Sequence, residues 1–192
     1  MNEIKEKIKD EVESLTNKFI VLLDTPAENY CDTAMCSADF MVGKGKTGVY
    51  VSASRPYRFI LKEMQKRGVN LSNLLFIDCI SRMAGEHPCG ECSYVENPSA
   101  LDEISLHITS LLDKIESNEK FLIMDSLSTL LIYNSANSIK DFLTFLINKL
   151  RLEGIDCIIL VIEHEAPPDL KSELVGMCDK SIAFSGMDLA GG

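Results

Sequence analysis

The stretch FLIMDSLSTLL, Phe121 to Leu131, opens with four apolar residues, breaks at Asp125 and Ser126, and turns apolar again. An apolar run of strand length without polar alternation predicts a β-strand covered on both faces. Five other runs follow suit: KFIVLL (18–23), GVYVSAS (48–54), LLFID (74–78), DCIILVIE (156–163) and KSIAF (180–184). Between them lie segments of helical character, at 30–42, 55–68 (closed by Gly68), 98–117 (with Ser99 as expected N-cap), 136–153 and 168–178. Strands buried on both faces and separated by helices predict an α/β domain, a three-layer doubly wound fold around a mainly parallel sheet. Ile4, Ile8, Val12 and Leu15 recur at helical spacing, so 1–17 reads as an amphipathic helix, 18–186 as the α/β domain and 187–192 as a loose tail. The helix's apolar stripe is expected to pack on the domain; the sharper reading gives it a partner helix.

Composition narrows the function classes. The chain has 192 residues and a formal charge of −10, enough length for one well-buried core and no basic stripe for phosphates. Nucleic acid and anionic membrane surfaces are therefore not expected as partners. The N-terminus MNEIKEKIKDEVESLTN is charged where a signal peptide would be apolar. Seven cysteines, an odd number, suit a reducing compartment, and a cytoplasmic location is expected.

One stretch imitates a nucleotide-binding loop. VGKGKT (42–47) ends like a P-loop, but the signature Gly-x-x-x-x-Gly-Lys-Ser/Thr needs a glycine five residues before Gly45, where the chain has Phe40. A strand-like run also follows Thr47 where a helix should start. A plain turn between helix and strand is expected there.

In an open parallel sheet, ligands bind beyond the carboxyl ends of the strands. Asp24, Ser54, Asp78, Asp125 and Glu163 with His164 fall at those ends. At this point the strand contexts become specific. FLIMDSLSTLL resembles the Walker B strand of the RecA superfamily, and GVYVSASRPYRFILKEMQKRGV (48–69) resembles the second strand and helix of its KaiC-like branch. CIILVIEHEAPPDLKSELVGMCDKSIAF (157–184) is similar to that branch's fifth strand, short helix and last strand. The resemblance implies a P-loop NTPase fold with core strand order 3-2-4-5-1-6, counting the six expected strands along the chain. It also implies a phosphate loop after the first strand, at Asp24, Thr25, Pro26, Ala27, Glu28, Asn29, Tyr30 and Cys31.

Set on that loop, Asp24, Ala27 and Asn29 stand where the family has glycines, Tyr30 stands for the phosphate-binding lysine, and Cys31 for the Mg²⁺-binding hydroxyl. Only Pro26 fits. Losing the lysine removes a charge-assisted contact worth roughly 1.5–3 kcal/mol, and Asp24 and Glu28 would repel phosphates by about a few kcal/mol. The helix N-terminus is expected to be satisfied internally, with Asn29 as N-cap and Glu28 and Asp32 complementing the helix dipole. Ser54 replaces the glutamate that polarises water in the family, and serine is no general base unaided. Asp125 keeps the Walker B position. Glu163 and His164 read as rim residues or as an acid/base pair near a γ-phosphate.

The long loop after 78 holds Cys79, His87, Cys89 and Cys92, a C-x₇-H-x-C-x₂-C pattern of zinc-competent ligands within fourteen residues. A single Cys-x-x-Cys lacks the second spaced pair of a zinc ribbon, and the blander readings are free thiols around a Gly-Glu turn or a redox-labile disulfide. The remaining cysteines, Cys31, Cys36, Cys157 and Cys178, read as packing residues. The reading is a pseudo-ATPase of archaeal KaiC-like type, from signal transduction or motility, acting without catalysis through a protein partner or homo-oligomer. No cofactor is expected; the ligand pattern at 79–92 leaves zinc open there. The alternative is an ATP-binding, Mg²⁺-dependent ATPase or nucleotide sensor with an unconventional loop.

Overall fold

The computed structural model describes residues 2–15, 18–86 and 92–184. Its elements run α1 (Asn2–Glu13), β1 (Ile20–Thr25), α2 (Tyr30–Gly43), β2 (Thr47–Ser52), α3 (Tyr57–Lys66), β3 (Leu74–Asp78), β4 (Cys92–Tyr94), α4 (Leu101–Lys114) and β5 (Lys120–Asp125). They continue with α5 (Leu127–Tyr133), α6 (Ala136–Glu153), β6 (Asp156–Ile162), α7 (Pro168–Met177) and β7 (Lys180–Ala183). The strands form one seven-stranded sheet in the order β4-β3-β2-β5-β6-β1-β7. Every recorded pairing is parallel. With β4 set aside, this is the strand order that the resemblance implied.

Because side chains alternate across a strand, each strand feeds two cores. Leu22, Val49, Val51, Leu122, Met124 and Ile159 face one way, where α4, α5, α6 and α7 cover them. Val21, Leu23, Tyr50, Phe121, Ile123 and Leu160 face the other way, under α1, α2 and α3. The stripe Ile4, Ile8 and Val12 is fully covered within the chain. Lys5–Asp39 (2.5 Å) and Lys44–Glu13 tie α1 to α2, so α1 is packed on the domain and that stripe is not open to a partner helix.

The structure corrects several local expectations. β1 does not stop at Leu23 but carries Asp24 and Thr25, which pair with Val161 and Ile162 on β6. The long loop after β3 contains an edge strand, β4, registered against Phe76–Asp78. Ser99 does not cap α4: that helix begins after Ala100, and the Ser99 amide donates instead to Asn97 Oδ1 at 2.9 Å. The tail 187–192 lies outside the described residues.

VGKGKT is a turn at the amino end of the sheet. α2 ends at Gly43, Gly45 takes a left-handed φ of 74°, and β2 starts at Thr47. Lys46 reaches the fully buried Asp156 at the start of β6, an ion pair remote from the strands' carboxyl ends. Unpaired, Asp156 would be a buried charge, which is strongly destabilising.

Gly48 on β2 stands opposite Phe121 on β5. A Cβ at Gly48 would lie 2.4 Å from the Phe121 carbonyl oxygen and 2.5 Å from its ring. The ring thus packs over bare backbone, and only glycine leaves room for it. Gly48→Ala is expected to cost about 1–3 kcal/mol through overpacking, read by urea denaturation, whereas Gly43→Ala, where the added methyl meets nothing within 4 Å, should be close to neutral.

Candidate functional site

At the carboxyl end of the sheet, β1 turns into α2 through Pro26–Asn29. The Pro26 carbonyl accepts from the Asn29 amide at 3.0 Å, and the Ala27 carbonyl from the Tyr30 amide at 3.4 Å. Ala27 and Glu28 are exposed. Asn29 holds the N-cap position with helical backbone angles, yet its side chain caps nothing, contrary to expectation. Thr33 on α2 donates from its hydroxyl to the Asn29 carbonyl at 3.0 Å and lies 3.0 Å from the Thr25 hydroxyl. Asp32 complements the first turn of α2 but points to Arg67, at 2.7 Å. Cys31 is half-buried and packs against the core beneath α1 to α3.

Tyr30 is the residue that closes this end. Its side chain is buried, and its hydroxyl donates to Ser54 Oγ at 3.3 Å. Ser54 Oγ in turn reaches Asp125 Oδ1 at 3.0 Å. Tyr50, reaching up from β2, bonds the other carboxyl oxygen, Asp125 Oδ2. The Arg55 guanidinium sits 5.8 Å from the centre of the Tyr30 ring and 5.1 Å from that of Phe59, within cation–π range. Three hydroxyls and a carboxyl thus form one chain across the ends of β2 and β5.

Among the described residues no cation pairs with Asp125. Full burial pushes its carboxyl up to about 8, so at neutral pH it is mainly a carboxylic acid. Burial likewise drives the Tyr50 phenol above its ordinary value. The peptide bond from Asp125 to Ser126 is cis. Ser126 then caps α5 through Thr129, and Ser128 accepts from the Ile162 amide at 2.8 Å, tying α5 to β6.

Asp24 sits apart from that chain. It is buried, and its Oδ2 accepts from Lys171 on α7 at 2.5 Å. Its Oδ1 is buried without a hydrogen-bond partner among the described residues. Asp78 is spent locally: it accepts from the amides of Tyr57 (2.6 Å), Ile80 (2.8 Å) and Ser81 (2.9 Å) and from the Ser81 hydroxyl (2.6 Å). Those bonds hold the α3 entry and the loop after β3. The Glu163 amide donates to the Thr25 carbonyl at 2.9 Å. His164 has a left-handed φ of 65° and projects into solvent. Glu163 and His164 therefore sit on the rim, with His164 Nε2 at 3.7 Å from Glu163 Oε1.

Of the four residues in the cysteine loop's pattern, Cys79 and Cys92 are described, and they lie in different cores. Cys79 is buried in the core beneath α4 to α7, where burial holds its thiol well above the ordinary range. Cys92 packs against the opposite core and donates weakly to the Phe76 and Ser93 carbonyls. The two are thus separated by the sheet, while His87 and Cys89 lie outside the described residues. No cluster of three or more metal-competent side chains occurs among the described residues. Cys36 and Cys178, with thiols pushed by burial to about 11, behave as packing residues.

Over 87% of its length the chain superimposes on 71% of a KaiC-like protein from the hyperthermophilic archaeon Pyrococcus horikoshii OT3, at 17% identity and a TM-score of 0.64. The fold is KaiC-like. An uncharacterised protein of Pyrococcus horikoshii, crystallised with an unknown peptide, matches over 93% of this chain and 82% of its own at 13% identity and a TM-score of 0.67. The flagellar accessory protein FlaH of Methanocaldococcus jannaschii matches over 91% and 76% at 14% identity and a TM-score of 0.60. The sequence matches no family profile and no curated protein. No helix among the described residues is long and apolar enough to cross a membrane.

Within this KaiC-like fold, two residues went unseen in the sequence. Tyr50 read as one more apolar strand residue, although a tyrosine aimed at the end of a buried strand needs a partner for its hydroxyl. Lys171 gave no local signal, because its partner lies 147 positions away.

The raised Asp125 value sets a pH dependence. Between about pH 4 and 8 the folded chain keeps a proton on Asp125 that the unfolded chain releases, so this group's contribution to stability is complete below pH 4 and is lost as pH rises through 8. The slope is at most about 1.4 kcal/mol per pH unit. Urea denaturation across this range should show wild type losing stability relative to Asp125→Asn as pH rises, with Asp125→Asn flattening the profile.

Proposed function

We propose that this KaiC-like domain is a noncatalytic regulatory or scaffolding protein that acts through contacts with other proteins. The observation that carries the reading is the buried Tyr30 side chain at the start of α2, hydrogen-bonded through Ser54 to Asp125. At that point the resemblance calls for a lysine and an open cradle of backbone amides. A bound triphosphate would have to expel the Tyr30 ring and face Asp24, while finding neither the lysine nor the metal-binding hydroxyl. With Ser54 in place of the water-polarising glutamate, hydrolysis lacks its base as well. Signal transduction or motility, the settings the resemblance implies, both have uses for such a module.

The alternative, an ATP-binding domain with an unconventional loop, draws on the cations Arg55 and Lys171 at the mouth and on Asp24 Oδ1, which has no hydrogen-bond partner among the described residues. It requires the Asp24–Lys171 pair to open and Asp125 to ionise. Isothermal titration with Mg·ATP separates the two. The proposal expects no heat of binding up to millimolar nucleotide, and a micromolar Kd would overturn it.

A further inference from the structure

α4 and α6 lie side by side on the same face of the sheet, with Ile104 and Ile108 of one and Ile139, Leu143 and Leu146 of the other buried beneath. Outside that contact they do not close on each other. Ser105 on α4 and Ser138 on α6 are too small to fill the gap, and a groove of about 900 Å³ remains, floored by Leu101 and Phe142. Phe145 on α6, which lines the groove, is 59% exposed, a large apolar side chain turned to solvent. An exposed aromatic ring beside a groove with an apolar floor marks a contact surface more often than an exposed side chain on a flat face.

The charge around the groove is one-sided. Asp102, Glu103 and Asp141 line it, and among the described residues no lysine or arginine does. Glu103 is engaged locally, accepting from the Glu96 amide at 3.1 Å, and Asp102 complements the first turn of α4. Neither Asp102 nor Asp141 forms a salt bridge among the described residues. A second copy of this chain, itself at −10, is a poor electrostatic fit to such a rim. The walls are helices with no free strand edge, so an added strand would find no backbone ladder. A helix can set residues at i, i+3, i+4 and i+7 into the groove.

We propose that the α4–α6 groove docks an amphipathic helix of a partner protein, with bulky apolar anchors seated on Phe142 and Phe145 and basic side chains meeting Asp102 and Asp141. The inference deepens the protein-contact reading above and rests on it. Nucleotide titration tests that reading's other half at a different place on the molecule, so the two can fail separately.

The test uses the full chain and two fluorescein-labelled model helices, one with leucine at i, i+3, i+4 and i+7 and lysine elsewhere, the other with glutamate in place of lysine. Fluorescence anisotropy is expected to show saturable binding of the lysine helix only. Phe145→Glu should weaken it by roughly tenfold or more, and Asp102→Lys with Asp141→Lys should transfer the preference to the glutamate helix. Glu3→Lys with Asp10→Lys on α1 should change little, and unchanged melting temperatures check that each variant is folded. The proposal is overturned if the lysine helix does not bind, if binding is indifferent to Phe145→Glu and to the groove charge swap, or if the α1 charge swap weakens it equally. It is also overturned if the wild-type chain sediments as a dimer that Phe145→Glu dissociates, since the groove's occupant would then be a second copy.

Discussion

A carboxyl group at the end of a fully buried strand has to find either a positive charge or hydrogen-bonding neighbours, and among the described residues Asp125 has only the latter. Tyr50 and Ser54 supply hydroxyls to its two oxygens, and Tyr30 closes the chain through Ser54. Its acid form is favoured in the folded protein by full burial, which outweighs what these donors give the ionised form. Each hydroxyl comes from a different place: Tyr50 from within β2, Ser54 from just past its end, and Tyr30 from the start of α2. Satisfying one carboxyl thus fixes how α2 meets the sheet. The same bonds fill the space at the head of α2 with an aromatic ring, and the functional proposal follows from that filling.

The sheet makes the arrangement rigid. Being parallel throughout and covered on both faces, it brings the carboxyl ends of β1, β2, β3, β5 and β6 to one edge, where Asp24, Ser54, Asp78, Asp125 and Glu163 collect. Their fates diverge with their surroundings. Asp78 is consumed by backbone amides, Asp24 pairs with Lys171, Asp125 is held by hydroxyls, and Glu163 stays at the rim. Acidic residues gathered at a sheet edge are thus not in themselves a catalytic centre, because partner chemistry decides what each can do.

Much of the fold was legible because the strands are apolar almost throughout and the helices between them are of ordinary length, a pattern that admits few architectures. The strand order came from the resemblance and not from the periodicity. What stayed hidden was set by distant pairing. β4 is only Cys92–Tyr94, too short and too polar to declare itself, and exists because Phe76–Asp78 offer it a partner edge. Asp24 and Thr25 read as loop residues, yet the ladder to β6 extends the strand through them. Asn29 and Ser99 are good capping residues by type, but the backbone angles of one and the Asn97 bond of the other leave neither in that role. In the site, the replacements along 24–31 were readable one by one. That Tyr30 would reach Ser54 required knowing where β2 ends in space.

The most direct test of the account is the protonation state of Asp125, followed by the ¹³C shift of its carboxyl carbon as pH is varied with and without excess Mg·ATP. The account predicts a neutral acid at pH 7, titrating near pH 8 and unmoved by nucleotide. An ionised Asp125 at pH 7, or a midpoint that falls when Mg·ATP is added, would contradict it.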